Sequence, residues 1–146
     1  MNLYLDASAL VKRYIQEKES EQVNSWIEAA DLIVTGLICR VEVAAAIARA
    51  GGMKLISAEE TTAALQLFRE EWESFQRLPI SEHTVRRANT LAVEHNLRGC
   101  DATHLACALI WQEALGIPVT LASFNKQLIE AAMNLNMAFL PENADR

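Results

Sequence analysis

Apolar residues along this chain follow two rhythms: short, nearly unbroken runs, and longer stretches spaced by three or four positions. The runs at Leu3 to Asp6, Leu32 to Thr35, Pro118 to Ala122 and Met137 to Leu140 are apolar on both faces, as central parallel strands are. Leu78-Pro79-Ile80 is too short for more than an edge strand. Between the runs, helical spacing predicts Ser8 to about Gln16, then Glu19 to Ala30 through Val23, Trp26, Ile27 and Ala30. It also predicts Leu37 to Ala50, closed by Gly51-Gly52. Ser57 with Glu60 forms a capping box for a helix reaching about Gln76, and Ser81 caps Glu82 to His95. Asn96 to Cys100 is expected as loop, Asp101 to Ala114 as a markedly apolar helix stopped by Gly116, and Lys126 to Leu135 as the last helix. Strands that alternate with helices predict an α/β fold, a three-layer α/β/α sandwich with a mainly parallel sheet. A single domain is expected over 1–146, with about 141–146 a polar tail.

Charge and cysteine usage narrow the setting. A net charge of −6 excludes a surface coated in basic residues for non-specific nucleic-acid binding, but leaves room for a local cationic rim. Cys39, Cys100 and Cys107 are odd in number and lack disulfide or zinc spacing, so they read as reduced core cysteines of a cytosolic protein. The first residues lack the cationic and apolar regions of a signal peptide, and no apolar run approaches a membrane span.

Candidate chemistry gathers where strands hand over to helices. Asp6 ends the first run and precedes a helix, the address at which open α/β sheets bind ligands, although Asp is also a favoured N-cap. Glu42 has Ile38, Cys39, Ala45 and Ala46 on its helical face, so its carboxylate needs a partner, and Arg40 two residues away points elsewhere. Asp101 heads the most apolar helix, where a first-turn acid is also a structural choice. His104 shares the face of Asp101; a hydrogen-bonded core histidine is the plainer reading, a metal ligand the sharper one. Ser123-Phe124-Asn125 follows the Val119 strand, either as turn and cap residues or as oxygens that orient water or finish a coordination shell.

In a parallel sheet these sites share one edge, which brings three carboxylates and an amide together. Like charges at close range raise one another's pKa unless a cation neutralises them. Oxygen-only ligands suit Mg²⁺ or Mn²⁺, and such a site can bind and cleave a phosphodiester. Other chemistries fit badly. The chain has no GxxxxGK[ST] loop, no GxGxxG after the first strand and no GxSxG elbow, its cysteines lack an obvious His base, and Ser8 stands where a phosphoaspartate enzyme needs a second acid.

The stretches LYLDASALVKRY, ICRVEVAAAIAR, LRGCDATHLACAL and VTLASFNKQLIEAA resemble PIN-domain proteins, specifically VapC-like toxins of type II toxin–antitoxin systems. They span nearly the whole chain in the family's order and spacing. The resemblance implies a Mg²⁺- or Mn²⁺-dependent endoribonuclease of the cytoplasm, with Asp6, Glu42 and Asp101 as the acidic triad and Ser8 as the hydroxyl residue after the first Asp. It further implies an RNA substrate, a homodimer, and a small antitoxin whose C-terminal segment covers the acidic cleft. One departure stands out: Asn125 occupies the position of the family's usual fourth acid. Asn is expected to keep an oxygen ligand and lose a charge, leaving one metal on Asp6 and Asp101. Glu42 is then a ligand or orients water, with Ser8, Ser123 and Asn125 auxiliary. Lys12, Arg13, Arg40 and Lys126 are close enough in sequence to contact RNA phosphates, or are solvated surface charge. The alternative is a catalytically attenuated PIN domain that binds an antitoxin or RNA; a hydrolase of DNA or nucleotides is a third reading.

Overall fold

The structure, a computed structural model, describes residues 1–143; residues 144–146 of the expected polar tail lie outside the described residues. Its strands are β1 (Asn2–Leu5), β2 (Leu32–Gly36), β3 (Gln76–Leu78), β4 (Val119–Ala122) and β5 (Ala138–Leu140). All pair in parallel, in the order β3-β2-β1-β4-β5, so the sheet is wholly rather than mainly parallel. The helices are α1 (Ala7–Leu10), α2 (Ser20–Ala29), α3 (Cys39–Gly52), α4 (Ala58–Glu71), α5 (Glu82–His95), α6 (Gly99–Leu115) and α7 (Lys126–Asn134).

The period of two along β1 sorts the layers. Tyr4 points into a core shared with α5, α6 and α7, whereas Leu3 and Leu5 point into a core shared with α1, α3 and α4. Both faces of the sheet are therefore covered, which is why the central strands β1, β2 and β4 are largely apolar, whereas edge strand β3 carries Gln76 and Arg77. Chain order runs outward from β1 through β2 to β3 on one side and from β4 to β5 on the other. The switch point falls between β1 and β4, the address at which open α/β sheets bind ligands.

Several boundaries differ from the sequence expectation, each for a local reason. The first helix is short: α1 gives way at Val11 to a single 3₁₀ turn that ends at Arg13. Gly51 and Gly52 lie inside α3 rather than closing it, and Lys54 takes the left-handed conformation beyond (φ 58°). Gly51 is needed for close approach instead, since a Cβ there would clash with Thr61 Oγ1 of α4. The Ser57 capping box forms as expected, but α4 stops at Glu71 and a 3₁₀ turn over Trp72–Ser74 leads into β3. The expected loop at Asn96 to Cys100 is shorter, because α6 begins at Gly99 and takes Asp101 into its first turn. Cys39 and Cys107 are buried, but Cys100 is exposed on that turn and is not a core residue.

Candidate active site

β1 ends at Leu5, and the Asp6 N–H still donates to Ala122 O of β4 at 3.2 Å, so the turns after β1 and β4 begin side by side at the switch point. Asp6 caps α1: its Oδ1 accepts from Ala9 N at 2.9 Å and from Ser8 Oγ at 2.7 Å. Its Oδ2 accepts from Ser123 Oγ at 2.5 Å, and only 3% of the residue is exposed. The two hydroxyls in turn accept from the backbone of the turn after β4: Ser8 Oγ from Phe124 N across the switch point at 2.9 Å, and Ser123 Oγ from Asn125 N within its own turn at 3.0 Å. Asp6 is thus both helix cap and centre of the network that joins the two turns.

Asn125 continues this network to the next acid. Its Oδ1 caps α7 by accepting from Gln127 N at 3.0 Å and Leu128 N at 3.3 Å, which leaves the amide nitrogen facing Asp101, with Nδ2 donating to Oδ2 at 2.9 Å. The oxygen expected as an auxiliary ligand is committed to the helix end. Backbone geometry decides the matter, because two N–H groups at the start of α7 need an acceptor.

Asp101 occupies the first turn of α6, where the helix dipole favours an acid. Burial pushes its pKa up, and the charge of Asp6 pushes the same way; the Asn125 hydrogen bond and His104 pull it down, while Glu42 raises it further. Asp101 therefore senses both other acids. In the same turn, burial and then the charges of Glu42 and Asp101 push the Cys100 thiol up. Glu42 lies in the first turn of α3, with 26% of its side chain exposed and Oε1 2.6 Å from His104 Nε2.

The predicted acids meet at one edge, but the partner of Glu42 is one that sequence reasoning missed. His104, buried in α6, bridges Glu42 and the Tyr4 hydroxyl of β1. The signal was present in pieces. An acid on an apolar helical face needs a donor, and an apolar helix carrying one His offers it. Only the packing of α3 and α6 about the end of β2 joins the two.

The four candidate cations are placed unequally. Lys12 pairs with Glu17 and Glu19 (both 2.8 Å), and Arg13 with Glu71 (2.6 Å). Arg40 lies over the rings of Phe68 and Trp72. Lys126 is exposed and, with Lys18, borders a groove of about 650 Å³ floored by Trp26 and Phe124, whose rings stack at 5.9 Å. Phe124 stands between Ser123 and Asn125 in the chain, but Asp6, Glu42 and Asp101 do not line this groove.

The donor set fits a hard divalent cation in its chemistry: carboxylate oxygens, with Asp6 and Glu42 raising the Asp101 pKa, and no cationic side chain paired to Asp6 or Asp101 among the described residues. Their spacing is open. Among the described residues no three His, Cys, Asp or Glu side chains already stand around a common point. No helix among the described residues is long and apolar enough to cross a membrane.

A sheet wound in this order, with acids at its switch point, defines a class. The chain belongs to the PIN-domain family, whose model, described as "PIN domain", matches residues 3–133. Among its relatives, ribonuclease VapC45 of Mycobacterium tuberculosis is 28% identical over 144 residues, covering 98% of this chain and 97% of the relative. The crystal structure of VapC20 of Mycobacterium tuberculosis, a sarcin–ricin loop cleaving toxin, superposes with a TM-score of 0.66 at 14% identity, over 89% of this chain and 95% of that one. A toxin–antitoxin complex from Klebsiella pneumoniae gives a TM-score of 0.57 at 18% identity, over 82% and 84% of the two chains. At these identities the two solved structures show the shared fold.

Proposed function

We propose that the chain is a single-domain, metal-dependent endoribonuclease, the toxin of a type II toxin–antitoxin pair. The observation that carries this reading is the charge coupling of three acids at one edge of the sheet: burial, then the charge of Asp6, and further the charge of Glu42 raise the Asp101 pKa. Relatives named as ribonucleases support the enzyme over the attenuated binding module. Asp6 and Asp101 hold Mg²⁺ or Mn²⁺, and Glu42 is a further ligand or orients the attacking water. When bound, the ion neutralises the acids and stabilises charge on the phosphodiester. Ser8 and Ser123 hold the Asp6 carboxylate in place, and Asn125 does the same for Asp101.

Lys126, Lys18 and Trp26, the last stacked on Phe124, offer charge and a ring face to single-stranded RNA. The partner is a small antitoxin, a reading that the toxin–antitoxin complex among the structural neighbours supports, and its C-terminal segment covers the acidic cleft. A cytoplasmic location accords with an RNA substrate and with three free cysteines. The homodimer implied by the family resemblance belongs to the same proposal, and sedimentation of the purified chain checks it.

Incubation of the purified chain with structured RNA, in Mg²⁺ and in EDTA, tests the reading. Cleavage is expected with Mg²⁺ only. Asp6→Asn is expected to slow it by more than about 100-fold, since the loss of even an outer partner of a metal ligand costs up to that much. Cleavage that persists in EDTA, or an unchanged rate in Asp6→Asn, overturns the assignment.

A further inference from the structure

A chain of hydrogen bonds runs from the middle of the sheet to the acidic edge. Tyr4 lies at the centre of β1, fully buried, with its hydroxyl 2.7 Å from His104 Nδ1. The other ring nitrogen, Nε2, lies 2.6 Å from Glu42 Oε1. The two rings meet edge to face, with centroids 5.8 Å apart at 71°. Burial pushes the Tyr4 phenol well up, so it keeps its proton and has one to give. With the phenol donating to Nδ1, neutral His104 carries its hydrogen on Nε2 and donates it to the carboxylate.

The backbone is shaped around this pair. Gly36 ends β2 at the point of contact, and a Cβ there would come within 2.9 Å of the Tyr4 hydroxyl and 3.8 Å of His104 Nδ1. Both ring nitrogens of the histidine engage side chains, and one end of the series is an acid of the cleft. A histidine present only to fill the core has no need of that terminus.

We propose that His104, oriented by Tyr4, is a positioning residue that holds Glu42 by Oε1 and so leaves its second oxygen for the cleft. This rests on the metal-dependent nuclease reading of the acidic edge. His104 touches neither substrate nor ion; it acts through Glu42, as outer partners that orient ligands do.

The test measures Mn²⁺ affinity by calorimetry, RNA cleavage and thermal unfolding on wild type, His104→Leu, His104→Gln, Glu42→Gln and the His104→Leu/Glu42→Gln double variant. Gln keeps an N–H donor near the place of Nε2. Folded His104→Leu is expected to lose Mn²⁺ affinity and cleavage by on the order of 10-fold, and His104→Gln to recover most of both. In the Glu42→Gln background His104→Leu should change Mn²⁺ affinity little further, because its effect passes through Glu42. Wild-type values in His104→Leu, no recovery in His104→Gln, or an equal loss in the Glu42→Gln background would each overturn the proposal. If His104→Leu does not fold, Tyr4→Phe removes only the hydroxyl: weakened Mn²⁺ binding supports the chain, and wild-type binding overturns it. Asp101→Asn run beside them separates the two levels. A wild type that neither binds Mn²⁺ nor cleaves RNA takes down the nuclease reading and this inference together. Loss in Asp101→Asn with none in His104→Leu takes down this inference alone.

Discussion

Asp6 and Asp101 flank the same switch point, yet their surroundings differ in kind. Asp6 is buried, and both its oxygens accept from donors that belong to the turns after β1 and β4. Asp101 is half-buried at the head of α6, with one amide from Asn125 and the repulsion of two other acids. One carboxylate is therefore part of the architecture; the other is held at a cost that a cation would relieve. The difference teaches that residues of one chemical type at one site need not share one energetic role. It also makes the two separable by mutation.

Activity is where they should behave alike. Asp101→Asn, like Asp6→Asn, is expected to reduce RNA cleavage by more than about 100-fold, and a single-turnover assay reads it. Retained activity in Asp101→Asn alone would reduce the site to Asp6 and Glu42. Stability is where they should part. Asp6→Ala removes the α1 cap and strands the Ser8 and Ser123 hydroxyls, and is expected to cost about 2–3 kcal/mol in urea unfolding. Asp101→Ala should leave metal-free stability within about 0.5 kcal/mol of wild type, or raise it. Equal losses would break the distinction.

Asn125→Asp sharpens it further. Asp keeps the α7 cap but replaces the donor to Asp101 with a like charge. Mn²⁺ affinity by calorimetry should rise on the order of 10-fold, while the metal-free protein loses stability. Unchanged affinity would mean that position 125 serves the helix alone.

The smallest effect is the dependence on pH. Because the Asp101 pKa is raised on folding, the folded protein holds a proton that the unfolded chain has released in the interval between the two values. Metal-free stability should therefore increase as pH falls from neutrality into that interval, and be lost as pH rises through the raised value. Thermal unfolding of wild type beside Asp101→Asn, in EDTA, checks this: the variant should show a flatter profile from neutral to mildly acid pH.

Much of this was legible in the chain. Four of the five strand runs and each helix are found near their expected places, because burial on both faces writes unbroken apolar runs and caps such as Ser57 and Ser81 write helix starts. The edge strand β3 instead covers Gln76–Leu78 and shares only Leu78 with its expected run. The acids at 6, 42 and 101 were legible from their address at strand ends and helix heads. What the sequence could not carry was pairing across elements. Nothing local links Glu42 to His104, which lies 62 residues away. Nor does the sequence tell which end of the Asn125 amide faces the cleft, since that depends on the α7 backbone. Gly51 misled for a related reason: glycine marks both a helix end and a close approach, and only the neighbour Thr61 distinguishes them.

The most direct measurement is a calorimetric titration of Mn²⁺ into the metal-free protein, wild type beside Asp101→Asn. The account predicts saturable binding in wild type and its loss in the variant, with both proteins folded by circular dichroism. Equal binding by the two, or none by wild type, would contradict the assignment of these acids to a metal centre.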